Sequence, residues 1–171
     1  MRSQRSRIVL ILGLATLACE RRPAASAGGP LRGDSADSAF ALVQARGHRA
    51  MGVDQYTSRH EFEPLPDGGR IMLTRDSADT AGGARIRAHM REIAASFQQG
   101  NFDLPGFVHD REVPGSAAMR ARRAQITYTP DSAPGGGQLR ISSRDSVAVA
   151  AIHEFLAFQR HDHRAGDHSH P

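Results

Sequence analysis

Histidine is the side chain in this sequence with the most scope for chemistry. The chain holds nine histidines and five methionines, but one cysteine and no lysine. Imidazole nitrogen and thioether sulfur both bind transition metals, and the softness of the thioether and the rank of copper in the affinity series favour copper. A single cysteine excludes a multi-cysteine zinc site and an internal disulfide. The residue types therefore favour a copper site over a structural zinc site.

Five side chains are candidate ligands for such an ion. They are His89, His109, Met119, His153 and His163. His89 and His153 flank the apolar stripes of two predicted helices on opposite sides, so parallel helices lying side by side would bring the two rings together. His163 would extend the inner face of the second helix. A long connection carries His109 and Met119 and would fold over the helices.

Two other interpretations of the histidines remain open. In the first, His89 and His153 are boundary residues bonded to backbone groups or to carboxylates such as Glu92 and Glu154, and the protein is a metal-free interaction module. In the second, a histidine acts as the general base of an enzyme, with two side chains converging on a pocket that lacks ligand geometry. No serine lies in a strand–turn–helix nucleophile elbow, and no glycine-rich segment has the lysine of a phosphate loop.

The segments that must position these residues show one pattern twice. Alternating apolar and polar residues predict a strand over residues 56–63, a glycine turn follows, and a second strand covers residues 70–74. A helix is predicted over residues 85–98. The same order recurs with strands at residues 125–129 and 139–141 and a helix over residues 146–160. Two hairpin–helix units predict an α+β fold, in which a four-stranded antiparallel sheet carries two helices on one face.

The first nineteen residues predict where the protein works. Arg2, Arg5 and Arg7 precede an apolar run over residues 8–18, which is typical of an export signal and too short to span a membrane. Residues 14–19 resemble a bacterial lipobox, in which Cys19 is acylated and becomes the new N-terminus. We therefore expect a cell-envelope protein held to a membrane by an N-terminal lipid.

The domain organisation follows from this signal and from composition. Residues 1–18 form the predicted signal peptide, and residues 19–38 the lipidated cysteine with a flexible tether rich in Ala, Ser, Gly and Pro. One α+β domain covers residues 39–163. Residues 164–171 form a mobile tail that contains histidine.

The charge balance excludes nucleic acid as a partner. The sequence pI is about 10.4, but three of the 22 arginines lie in the signal, so 19 remain against 18 acidic residues. A domain this close to neutrality has no extended positive field that would attract phosphate.

Several motifs resemble a family of small exported bacterial proteins of unestablished function. The resemblance covers about residues 51–167. It lies in Ile86-Arg87-Ala88-His89-Met90, Gly100-Asn101-Phe102, His109, Pro114-Gly115, Met119, Ile126-Thr127-Tyr128, Gly136-Gly137, His153-Glu154-Phe155-Leu156-Ala157-Phe158-Gln159, His163 and Gly166-Asp167. In the tail, Arg164-Ala165 replaces the basic–Thr pair associated with the family.

Members of that family often carry the label aspartate carbamoyltransferase, which these residues do not support. Carbamoyl transfer needs a phosphate cradle such as a Ser-Thr-Arg-Thr-Arg run and a second domain that brings in aspartate. The chain has neither. It also lacks the four cysteines with which that enzyme's regulatory subunit holds zinc.

Overall fold

The computed structural model describes residues 32–165, which form an α+β fold. The elements in chain order are α1 (Arg32–Met51), β1 (Arg59–Leu65), β2 (Gly68–Thr74), α2 (Thr80–Gln98), α3 (Asp103–His109), α4 (Ser116–Ala121), β3 (Ile126–Ala133), β4 (Gly136–Ser143) and α5 (Ser146–Asp162). The strands form one antiparallel sheet in the order β1-β2-β4-β3. The predicted fold class and the two hairpin–helix units are confirmed.

Both hairpins close on glycine. Leu65 pairs with Gly68 and Ala133 pairs with Gly136, so each turn has two residues between its strands. A Cβ atom on Gly68 would lie 2.2 Å from the carbonyl oxygen of Ile141, and one on Gly136 would lie 2.0 Å from that of Leu73. Glycine is required at both positions because neighbouring backbone fills the space of a side chain.

The two hairpins are related by a two-fold rotation through the centre of the sheet. In this relationship Gly68 corresponds to Gly136, and Thr74 to Ser142. Strands β2 and β4 pair with each other so that Gly68 faces Ser142 and Thr74 faces Gly136. The rotation therefore leaves the register unchanged, and the repeat seen in the sequence is a repeat of backbone structure.

One face of the sheet carries the apolar core. Buried apolar residues alternate along the strands with exposed or half-buried ones. The buried set includes Phe62, Leu73, Leu139 and Ile141, and α2 and α5 pack against this face. An aspartate caps the start of each of these two helices. Asp79 accepts a hydrogen bond from the Gly82 amide at 2.8 Å, and Asp145 accepts one from the Ala148 amide at 2.9 Å. Such caps satisfy amide groups that the first turn of a helix leaves free.

Helices α2 and α5 run in opposite directions. The start of α2 lies beside Gly135 in the second hairpin turn, because a Cβ on Gly83 would be 3.3 Å from the Gly135 carbonyl. The first half of α5 lies beside the other turn, where His153 contacts Leu65. The sequence-based assumption that the helices run parallel is therefore wrong. Antiparallel pairing of β2 with β4 places the two hairpin turns, and hence the two helix starts, at opposite ends of the sheet.

Within residues 32–165 the structure has three α-helices besides the two that were predicted. Helix α1 begins at Arg32, inside the segment predicted as a tether up to residue 38. The connection over residues 101–124 holds α3 and α4. The signal peptide, Cys19 and residues 166–171 lie outside the described residues. Within residues 32–165, no helix combines the length and the apolar character needed to cross a membrane.

Candidate functional site

A cavity of about 90 Å³ lies between the sheet and the helices at the end of the fold where α5 terminates. Four imidazoles line it, and we call it the histidine cavity: His60 from β1, His89 from α2, His109 from α3 and His163, which follows α5. The rest of the wall is mainly apolar and includes the thioethers of Met51 and Met90. Elements distant in sequence therefore bring histidine and methionine side chains to one partly open cavity.

His163 is at the centre of this group. Its ring stacks on that of His60 with 4.9 Å between centroids, and it meets the ring of His109 edge-on at 5.1 Å. Its Nδ1 atom is buried and has no hydrogen-bond partner among the described residues. Burial lowers the pKa of His163 well below 6.5, and the neighbouring His60 and His109 lower it further. The ring is therefore neutral at neutral pH, with a nitrogen available for a ligand.

His60 faces the cavity because it lies on the same side of β1 as the core residue Phe62. Its Nε2 atom is 3.1 Å from Oε1 of Gln55, and the amide nitrogen of Gln55 donates to the carbonyl of Val53 at 3.0 Å. Burial lowers the pKa of His60 to about 4, a backbone hydrogen bond at Ser58 opposes that shift, and His89 adds to it. His60 is thus a neutral imidazole that is held by Gln55 and by the backbone of Ser58.

Both ring nitrogens of His109 lie at hydrogen-bond distance from oxygen atoms. Nδ1 is 2.5 Å from Oδ2 of Asp162, and Nε2 is 2.9 Å from Oε1 of Gln159. A carboxylate beside an imidazole is the arrangement that orients a general base. Here Gln159 occupies the nitrogen that a base would turn towards a substrate. The geometry therefore makes His109 part of the cavity wall rather than a free base or ligand.

His89 completes the wall from α2. Only 8% of the residue is exposed. Burial lowers the pKa of His89, and Glu92, three positions further along the same helix, opposes this effect. The ring therefore adds a further neutral imidazole to the cavity.

The structure brings together three of the five predicted ligands, His89, His109 and His163. The other two lie elsewhere. His153 donates from Nε2 to the carbonyl oxygen of Leu65 at 2.9 Å, which agrees with the interpretation of a boundary histidine bonded to the backbone. Met119 is completely buried in the apolar core. The expected approach of His153 to His89 does not form around this cavity, because the helices are antiparallel.

Sequence reasoning missed four contributors to the site: His60, Gln55, Met51 and Met90. The alternation in β1 places His60 beside Phe62 on the inward face, so the signal for His60 was present. Helical spacing predicts that Met90 is buried, but it cannot show that the side chain borders a cavity. Among residues 32–165, no group of three or more His, Cys, Asp or Glu side chains is arranged to hold a metal ion.

Comparison of the chain with family models, curated proteins and solved structures finds no match. The fold and the cavity geometry are therefore the basis for a functional proposal.

Proposed function

We propose that this is a lipid-anchored binding protein of the cell envelope, and that its histidine cavity takes a transition-metal ion, copper first. The observation that carries the proposal is the buried Nδ1 atom of His163, which has no partner among the described residues. An unsatisfied buried polar atom costs about 1–3 kcal/mol. A ligand bound to this nitrogen would remove that cost.

The size of the cavity supports an ion rather than a large organic ligand. Pockets for drug-sized molecules measure roughly 300–1,000 Å³, whereas the histidine cavity measures about 90 Å³. Neutral imidazoles are the protonation state that binds metals. The volume of the cavity and its neutral imidazoles thus both favour a small ligand that coordinates nitrogen.

The envelope part of the proposal depends on residues 1–19. Replacing Cys19 by serine removes the thiol that would carry the lipid, so we expect the variant to leave the membrane fraction while it remains exported. Recovery of the unaltered protein in the soluble fraction would contradict lipid anchoring without affecting the proposed metal site.

Copper titration tests the binding part. The full chain carrying Cys19→Ser is suitable because it has no thiol that could bind copper on its own, and His168→Ala with His170→Ala removes two histidines of the tail. We expect one copper ion per chain, with stoichiometric binding lost in His163→Ala and retained in His153→Ala, the matched histidine outside the cavity. Weak binding that is the same in both variants would leave a metal-free interaction module as the better description.

A further inference from the structure

We infer that the ion is monovalent copper, and that it is held by Nδ1 of His163, the imidazole of His89, and the thioether of Met51 or Met90. This inference rests on the proposed function, since it specifies the oxidation state and the donors at the same cavity. Its first support is the chemistry of the wall, where the side chains with lone pairs are imidazoles, thioethers and the two amides of Gln55 and Gln159.

The amides and His109 are already engaged with one another or with neighbouring groups. Gln159 and Asp162 contact the two nitrogens of His109, and Gln55 contacts His60. The donors that remain are soft or borderline: imidazole nitrogen and thioether sulfur. Thioether ligands select Cu(I), whereas carboxylate and carbonyl oxygens suit harder ions.

The charge of the cavity also favours a monovalent ion. Its imidazoles are buried among apolar side chains, no Asp or Glu is among the described residues that line it, and Asp162 contacts His109. Burying an ion without a counter-charge is costly, and that cost rises with the square of the charge. Cu(I) therefore enters this site at a lower cost than Cu(II) or Zn(II).

The two methionines line the cavity from different helices and differ in burial. Met90 lies in the middle of α2 and is 1% exposed, whereas Met51 is the last residue of α1 and is half-buried. Methionine is unbranched and adapts its shape readily. Both residues line the cavity, so either can supply the sulfur, and Met51 would join α1 to the metal.

The test uses the full chain carrying Cys19→Ser, His168→Ala and His170→Ala under anaerobic conditions. Cu(I) is supplied from a chromogenic chelator that competes for it, and Zn(II) and Cu(II) are titrated separately. We expect one tightly bound Cu(I) per chain, with Zn(II) and Cu(II) bound at least about a hundredfold more weakly, or ~2.8 kcal/mol. X-ray absorption of the Cu(I) form should show both nitrogen and sulfur neighbours.

Matched methionine variants identify the sulfur. The double variant Met51→Leu/Met90→Leu should lose the copper–sulfur signal and weaken Cu(I) binding by about tenfold or more, or ~1.4 kcal/mol. Met119→Leu, a buried methionine outside the cavity, should behave as the parent chain does. Leucine has a volume close to that of methionine, so these variants are expected to fold. Circular dichroism checks this, and the single Met51→Leu variant provides the comparison if Met90→Leu does not fold.

The possible failures are distinct. Tight binding of Zn(II) or Cu(II) that depends on His163, without sulfur neighbours, would overturn the Cu(I) assignment and leave the proposed metal function in place. Binding of Cu(I) with the sulfur signal unchanged in the double variant would overturn the thioether ligand. If no metal binds in a manner dependent on His163, both the inference and the proposed function are wrong.

Discussion

The imidazole of His109 and the carboxylate of Asp162 meet at 2.5 Å and join the end of α3 to the end of α5. The two side chains differ greatly in solvent contact, since that of His109 is 1% exposed and that of Asp162 is 26% exposed. The partly exposed carboxylate therefore gives a buried ring nitrogen its hydrogen-bond partner. This contact holds His109 in the wall of the histidine cavity.

Replacing Asp162 by alanine should destabilise the protein by about 1–3 kcal/mol, because it leaves a buried nitrogen of His109 without its partner. Urea unfolding followed by circular dichroism measures the change. Asp37→Ala is the matched control: Asp37 pairs with Arg164 at 2.7 Å but is 70% exposed, so its loss should cost at most about 1 kcal/mol. Equal losses in the two variants would show that Asp162 makes only a surface contact.

Alanine at Gly136 should destabilise the fold by about 1–3 kcal/mol or more, since its Cβ would overlap the carbonyl oxygen of Leu73, which belongs to rigid backbone in the sheet centre. The free energy of unfolding is again the measurement. Gly106→Ala provides the contrast, because the nearest atom to its Cβ would be the Arg111 carbonyl oxygen at an ordinary 3.6 Å. A Gly136→Ala protein as stable as Gly106→Ala would contradict the close pairing of β2 and β4.

The cap of α2 predicts a smaller effect. Asp79→Ala removes the acceptor of the Gly82 amide and an ion pair with Arg75 at 2.9 Å. We expect a loss of about 1 kcal/mol in the free energy of unfolding. Asp79→Asn should recover part of this loss because its side-chain oxygen can still accept the amide, whereas a variant equal to Asp79→Ala would indicate that the ion pair, rather than the cap, is responsible.

The histidine cavity also predicts how the stability of the metal-free protein depends on pH. Burial lowers the pKa of His60 to about 4 and that of His163 well below 6.5 in the folded state, so the unfolded chain takes up protons first as the pH falls. Stability should therefore be highest above about pH 6.5 and decline between pH 6.5 and pH 4. His89 faces the same space, and burial lowers its pKa as well.

Chemical unfolding at a series of pH values measures this dependence. His60→Gln should flatten the decline, because glutamine has no proton to take up and its amide can remain near Gln55. A variant whose stability falls as steeply as that of the parent chain would show that the acid sensitivity arises elsewhere, for example from the carboxylates that form surface ion pairs.

Local sequence patterns predicted the sheet and its helices because the determinants are local. Alternation in β1 around Phe62, the glycines after each hairpin turn and the aspartate caps each act over a few residues. Most of helix α1 was missed, because the composition of its first residues, up to residue 38, resembles that of a linker. Helix α1 packs against α3, which lies far from it in the sequence, and such a contact leaves no signature in local residue patterns.

The site was predictable only in its chemistry. His89, His109 and His163 were identified as candidate ligands from residue type and helix face, but they lie on three separate elements that come together only after folding. The pairing of His89 with His153 depended on the relative direction of α2 and α5. That direction is fixed by the antiparallel contact of β2 with β4, which has no signature in either helix.

The two-fold relationship between the hairpins has a consequence for the history of the chain. A half-length ancestor with one hairpin and one helix would form the same sheet by pairing with a second copy of itself. This is because the register of β2 against β4 is two-fold symmetric. His60 and Tyr128 hold corresponding positions in the two halves, paired with Leu73 and Ile141. The small ring of His60 lines the histidine cavity, whereas the larger phenol of Tyr128 packs edge-on against Phe97, so only one half of a symmetric sheet borders this cavity.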